Sequence, residues 1–236
     1  MIAKRFFNWW LRFGYWLLLR LRIEGLEKIP DHGPVILIIN HVNFLDPFVV
    51  AASMPRLVTA MSKIENFSIP LWGLVFKLYG AIPVRRGEVD RQALKQALEV
   101  LKGDTMLLMA PEGTRSRQRA LQKAHNGLAY IAHRSGAAIV PVAITGTPSF
   151  SGNVKRLRRT PVKLRLGTPC YLRADTRRLE REAMGAMTTE AMYQLAALLP
   201  PEYRGVYAHL ERATENHIQF LGRVDQPASA RGVKLD

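Results

Sequence analysis

The chain has 236 residues, 48% of them apolar, which is enough for a domain with a proper core and too apolar for a disordered or collagen-like polymer. Its 34 Lys and Arg against 19 Asp and Glu leave a formal charge of +15, so an anionic partner is expected: nucleic acid, an anionic lipid surface or a phosphorylated substrate. The single cysteine, Cys170, excludes an intramolecular disulfide and a cysteine-rich zinc site, and fits a reducing, cytosol-facing chain.

Residues 1–22 read as an amphipathic helix. Phe6, Trp9, Trp10, Phe13, Trp16, Leu17 and Leu18 form its apolar side, and Lys4, Arg5, Asn8, Arg12 and Tyr15 recur at helical spacing on the other. The uninterrupted apolar run is far shorter than the 20 or so residues a span needs, and Arg12 breaks the stretch a secretory signal would require. A Trp-rich face with basic residues opposite suits the headgroup boundary of an anionic membrane. We therefore expect an interfacial helix over 1–24, a main domain over 25–221 and a loose tail over 222–236, where apolar periodicity is lost.

In the main domain, strand-like and helix-like segments alternate. Residues 34–39, 105–109 and 138–144 are continuous apolar runs, the pattern of strands covered on both faces; 57–61, 80–84 and 162–166 are weaker strand candidates. Helices are expected from Pro47, with Asp46 as its N-cap, and over 89–102, 127–133 (closed by Gly136) and 175–199. The uncharged stretch 135–154 is punctuated by Gly136, Pro141, Gly146, Pro148 and Gly152, which excludes it as a span. The alternation predicts an α/β fold, a mostly parallel sheet covered by helices.

Three segments that follow expected strands carry chemistry. Asn40, His41 and Asp46 follow the run 34–39. A His and an Asp five residues apart do not share a helix face, so they meet only if the chain turns between them; the carboxylate would then orient the imidazole as a base. Arg85 and Arg86 follow 80–84. Glu112, Gly113, Thr114 and Arg115 follow 105–109, where Gly113 permits a tight turn and Arg115 offers the forked donor suited to phosphate. Taken singly, each is better explained as a structural pair or an ordinary polar turn. In an open parallel sheet, however, the C-terminal strand ends lie along one edge, where ligands bind, so a base and two Arg-bearing turns would converge there.

These blocks, with Pro141 in the segment 139–142, resemble in order and spacing the four blocks of the glycerolipid acyltransferase family, and most the bacterial 1-acylglycerol-3-phosphate acyltransferases. The resemblance covers residues 40–142. It implies a fatty acyl thioester on coenzyme A or acyl carrier protein as co-substrate, no other cofactor and no metal. It also implies a lysophospholipid acceptor, with phosphatidic acid as product. On that reading His41 is the base and Asp46 orients it. Arg85 or Arg86, with Glu112, Gly113, Thr114 and Arg115, holds the acceptor phosphate, and Pro141 is structural or lines the acyl pocket. No covalent nucleophile is evident: there is no Gly-x-Ser-x-Gly elbow, and Cys170 is distant in sequence. His125 and His133 read as surface or core histidines. A bilayer acceptor implies docking at the cytoplasmic face of the membrane. The candidates are the first helix, the segment 66–76 with Trp72, and the cluster Lys155, Arg156, Arg158, Arg159, Lys163 and Arg165. The rival readings are another lysolipid, glycerol 3-phosphate or a glycolipid as acceptor, a non-catalytic basic membrane protein, or a nucleic-acid binder. The last lacks zinc-finger spacing, an aromatic-basic RNA signature and a helix-turn-helix cue.

Overall fold

A computed structural model describes residues 14–15, 17–87, 89–103, 105–173 and 179–222. Their strands are β1 (Leu19–Glu24), β2 (Val35–Ile39), β3 (Val58–Lys63), β4 (Ile82–Val84), β5 (Met106–Met109), β6 (Ala138–Thr145), β7 (Thr160–Leu166), β8 (Cys170–Leu172) and β9 (Ile218–Phe220). The helices are α1 (Asp46–Ser53), α2 (Trp72–Tyr79), α3 (Arg91–Leu101), α4 (Gly127–Ser135), α5 (Phe150–Lys155) and α6 (Arg181–Leu198). The strands form one sheet in the order β1-β7-β6-β2-β5-β3-β4, with β8 on β6 and β9 on β8. From β4 across to β6 every pairing is parallel, as helical crossovers require; β7, β8 and β9 enter antiparallel. The expected α/β architecture is therefore present.

Its cause is visible in the central strands. All five residues of β2 are buried. Ile36 and Ile38 pack on one side of the sheet with Ala93, Ala97 and Leu101 of α3, Leu128 and Ile131 of α4, and Met187 and Ala191 of α6. Val35, Leu37 and Ile39 pack on the other with Val49 and Val50 of α1 and Tyr79 of α2. With side chains alternating across the pleat, a strand apolar at every position has two cores to fill, and only a sheet with helices on both faces provides them. Gly136 closes α4 at φ 63°, as expected, and the helix expected over 89–102 runs over Arg91–Leu101, capped by Asp90, which accepts from the Gln92 and Ala93 amides.

Three expectations need correction. The first helix does not reach residue 22: residues 14–15 and 17–18 are helical, and Leu19–Glu24 is then a strand parallel to β7. Leu19, Leu21 and Ile23 alternate with Arg20, Arg22 and Glu24, a period of two that buries Leu19 at 1% exposure. The chain up to Glu24 is thus partly built into the sheet. The remainder of that helix lies outside the described residues, as do 174–178, where the C-terminal helix was expected to begin, and 223–236 of the tail. Second, Asp46 is not an N-cap. Helix α1 starts at Asp46 itself, and the carboxylate makes no capping bond to the helix. Third, residues 170–172 and 218–220 pair as β8 and β9, although neither reads as a strand from its own sequence.

Candidate active site

The site is built where β2 leaves the sheet. Asn40, 1% exposed, donates from Nδ2 to the Ile144 carbonyl (2.9 Å) and accepts from the Ile144 amide at Oδ1 (2.8 Å). Its side chain continues the β2–β6 pairing after the backbone has turned away. The turn is set by Asn43, whose Oδ1 accepts from the Leu45 amide (3.1 Å) while its carbonyl accepts from the Asp46 amide (3.2 Å). The chain thereby folds back so that Asp46 Oδ2 lies 3.2 Å from His41 Nδ1. The five-residue spacing that forbids contact on a helix permits it across this turn.

Asp46 is fully buried and fully occupied. Its Oδ2 also accepts from the backbone amides of Val42 (2.7 Å) and Asn43 (2.6 Å), and its Oδ1 from Thr147 Oγ1 (2.7 Å). A carboxylate can only accept, so the proton of His41 belongs on Nδ1 and Nε2 is left as the basic nitrogen. Sequence reasoning missed the Thr147 clamp. Thr147 lies 101 residues from Asp46 and is placed by the turn at Gly146, which holds φ 90° with Pro161 backbone where a Cβ would stand. The only local cue is the Gly-Thr-Pro turn at the end of β6.

The turn after β5 is tied to the same loop. The Ser116 amide donates to the His41 carbonyl (2.7 Å), the Gly113 amide to Ala110 (3.0 Å) and the His125 amide to Pro111 (2.9 Å). Gly113 sits at φ 67° with the His125 ring 3.0 Å from where a Cβ would be, a position that favours glycine. Thr114 and Arg115 are exposed. Glu112 is not on the turn's surface. Its carboxyl is 3% exposed, Oε2 accepts from the Gln122 amide (2.8 Å), and Oε1 has no well-formed hydrogen bond. Burial pushes its pKa up to about 7, against the opposing pull of the Gln122 and His41 amides. The expectation that Glu112 touches the acceptor phosphate is corrected accordingly: it is a strut beneath the turn, because its side chain is buried and turned to the Gln122 amide, away from the exposed side where Thr114 and Arg115 lie.

The two arginines after β4 are both exposed, and the Arg85 amide donates to Asp90 Oδ2 (2.9 Å). Arg86 lies near enough to Glu65 and Arg115 to feel their charges. Its guanidinium is held below the usual arginine range by partial desolvation and by the charge of Arg115, with Glu65 opposing. Two guanidinium groups close enough to repel, beside one carboxylate, make a site that an anion would neutralise. Pro141 is buried in β6 opposite Ile38, with its ring where a Cβ on Gly167 would fall, which is a packing position in the sheet.

The surface beside the His41 turn also carries partly exposed aromatic rings. Phe44, from the His41–Asp46 turn itself, packs edge-on against Trp72 (6.4 Å) and Phe150 (6.5 Å), and Phe48 lies against Trp72 (5.7 Å) and Phe76 (5.9 Å). The His41 turn thus carries aromatic neighbours through Phe44 and is tied through the Ser116 amide to the turn that bears Arg115. A concavity of about 440 Å³ lined by Tyr171, Arg173, Gln219 and Phe220 lies at the β8–β9 end of the sheet, away from these groups. Among the described residues no three His, Cys, Asp or Glu side chains group as a metal site, and no helix is long and apolar enough to cross a membrane.

The fold is thus an α/β sheet that carries an Asp-bonded histidine at its C-terminal edge, with arginines and aromatic side chains on the neighbouring turns. The comparison with known proteins is specific: a family model described as Acyltransferase matches residues 20–145, and the chain belongs to that family. It is 31% identical over 166 residues to the chloroplastic 1-acyl-sn-glycerol-3-phosphate acyltransferase of Arabidopsis thaliana, covering 65% of this chain and 46% of that protein. It is 30% identical over 191 residues to the 1-acyl-sn-glycerol-3-phosphate acyltransferase of Streptococcus pneumoniae, covering 77% and 69%. A lyso-ornithine lipid O-acyltransferase of Pseudomonas aeruginosa is 33% identical over 146 residues, covering 61% and 55%. The chain spans about half the length of the first curated relatives it matches. In structure it resembles the crystal structure of the 1-acyl-sn-glycerophosphate (LPA) acyltransferase PlsC from Thermotoga maritima, with a TM-score of 0.57 and 26% identity over 70% of this chain and 68% of the other.

Proposed function

We propose that the protein transfers a fatty acyl group from an acyl thioester, on coenzyme A or acyl carrier protein, to the free hydroxyl of 1-acylglycerol-3-phosphate, giving phosphatidic acid. The observation that supports this reading is the Asp46-bonded His41, with the cationic pair Arg86 and Arg115 on turns at the same sheet edge and the aromatic wall of Phe44 and Trp72 beginning on the His41 turn itself. The pair takes the phosphate and the wall takes acyl chain. His41 Nε2 removes the acceptor hydroxyl's proton as the oxygen bonds to the thioester carbonyl carbon. The tetrahedral adduct collapses with cleavage of the carbon–sulfur bond, and the thiolate leaves with the proton that the imidazolium returns. Asp46 stabilises that imidazolium. It needs no reorganisation, because four donors already fix its oxygens. No group beyond the thioester co-substrate enters the step. Docking is peripheral, at the cytoplasmic face of the membrane that holds the acceptor.

The likeness to the lyso-ornithine lipid O-acyltransferase favours one second reading, another lysolipid as acceptor. Free-thiol release from palmitoyl- and oleoyl-coenzyme A and the matching acyl carrier proteins, with vesicles containing 1-acylglycerol-3-phosphate or a lyso-ornithine lipid, separates the two. Release that depends on the phosphate acceptor and is abolished by His41→Ala is expected. Release with the lyso-ornithine lipid alone would favour the second reading. Full activity of His41→Ala would sink the mechanism.

A further inference from the structure

The described residues contain three non-glycine positions with φ in the left-handed region, and two of them are exposed leucines: Leu71 at φ 59° and 81% exposure, and Leu157 at φ 52° and 96% exposure. Leu71 centres a γ-turn before α2, with the Trp72 amide bonded to the Pro70 carbonyl (2.7 Å), a strained arrangement for any side chain. Leu157 follows the C-terminus of α5. The Leu157 amide bonds to Val154 (3.0 Å) and the Arg158 amide to Asn153 (2.9 Å), the double closure whose central residue is ordinarily glycine. A lone exposed leucine needs no explanation. A leucine where the backbone favours glycine, with its side chain in solvent, gains nothing from its own fold at two places.

The two positions are connected. Helix α5 begins at Phe150, which packs on Phe44; Phe44 packs on Trp72, the residue after Leu71. The leucines therefore lie at the two ends of an aromatic chain that passes through Phe44 of the His41 turn, Leu157 lying beyond a helix only about 9 Å long. Leu157 sits among Lys155, Arg156, Arg158 and Arg159. Arg159 is committed to the fold, donating from Nε and Nη2 to the Leu19 carbonyl (3.0 and 2.7 Å), while Lys155, Arg156 and Arg158 have no carboxylate partner among the described residues. Leu71 is followed on α2 by exposed Trp72, Leu74 and Leu78.

We infer that Leu71 and Leu157 are the two insertion points of a membrane-docking surface, seating the His41 turn on an anionic phospholipid bilayer. The three free cations beside Leu157 select the charged headgroups, and the apolar face of α2 enters the acyl boundary. The surface stands by itself; that it delivers a lipid acceptor to His41 rests on the acyl-transfer reading above.

Glycine variants make the test clean, because Leu71→Gly and Leu157→Gly remove the side chain while relieving the backbone. Their thermal midpoints should equal or exceed that of the parent. The full chain is titrated with vesicles of equimolar phosphatidylcholine and phosphatidylglycerol, and with phosphatidylcholine alone. Each glycine variant should bind the anionic vesicles about tenfold more weakly, and the double variant about a hundredfold. Arg156→Gln and Arg158→Gln should each cost about fivefold, and this effect should vanish at high salt. Cys170 is fully buried, so Leu157→Cys provides a single labelling site for an environment-sensitive fluorophore, whose emission should shift to the blue on anionic vesicles alone. Unchanged binding of the glycine variants, or no blue shift while the protein is bound, overturns the proposal. So does duplex DNA binding that the arginine variants abolish and Leu157→Gly does not, which would mark a nucleic-acid surface. Acyl transfer to a short-chain soluble acceptor, measured alongside, keeps the readings apart: failure there with leucine-dependent docking intact removes the function and leaves the surface.

Discussion

Glu112 offers the sharpest test of the site's electrostatics. Its carboxyl is buried beneath the turn that carries Thr114 and Arg115, one oxygen bonded to the Gln122 amide and the other without a bond of good geometry. In the folded chain its pKa stands at about 7, against 4.5 when solvated. Between these values the native state holds a proton that the unfolded chain has released. The unfolded state therefore binds fewer protons, and stability falls as pH rises through the window, levelling off above it. At roughly 1.4 kcal/mol per pH unit the whole effect is about 3 kcal/mol, of which about 2.5 kcal/mol falls between pH 5 and 8. Glu112→Gln retains an acceptor for Gln122 and cannot ionise, so it should abolish this component. Urea denaturation of parent and variant at pH 5, 6, 7 and 8 isolates it, because every other titrating group is common to both. The stability of Glu112→Gln relative to the parent should rise by about 2.5 kcal/mol from pH 5 to 8, most of it below pH 7. A constant difference would refute the raised pKa. A relative loss for the variant as pH rises would mean that Glu112 is ionised and paired with a cation.

Asp46→Asn should lower kcat on the order of 10²–10³-fold with KM for the acceptor little changed, because it removes the charge that supports the imidazolium while leaving an oxygen for the Val42 and Asn43 amides; steady-state kinetics checks this. Asn40→Ala leaves the buried amide and carbonyl of Ile144 unpaired, and chemical denaturation should show a loss of about 2–4 kcal/mol. Gly146→Ala places a Cβ 2.0 Å from the Pro161 carbonyl oxygen at φ 90°, so it should cost more than about 3 kcal/mol and, by displacing Thr147, reduce kcat in whatever fraction remains folded. Arg115→Lys keeps the charge but loses the forked donor; KM for a phosphate-bearing acceptor should rise about tenfold, and an unchanged KM would remove Arg115 from the anion site.

The sequence by itself determined the layer architecture and the three chemical segments, because both are local. A strand apolar at every position, such as 34–39, demands cover on two faces wherever it sits, and helical periodicity at 89–102 and 127–133 supplies that cover. Parallel pairing then sets the ends of β2, β4 and β5 on one edge, so His41, Arg85 or Arg86, and Arg115 are expected together. Tertiary structure decided what depends on distant partners. Leu19–Glu24 is a strand because β7, some 140 residues later, is there to pair with it; in isolation its short alternation is masked by the helical pattern before it. Asp46 is clamped by Thr147 and not by its own helix, and Asn40 by Ile144, across 101 and 104 residues. The nearness of Arg86 to the charges of Glu65 and Arg115 likewise joins three separate segments of the chain. Glu112 reads from sequence as a surface ligand of phosphate, yet it is buried by the segment that returns to offer the Gln122 amide. Desolvation and charge pairing are sums over neighbours in space, and residues far apart in the chain become neighbours only when the sheet is assembled.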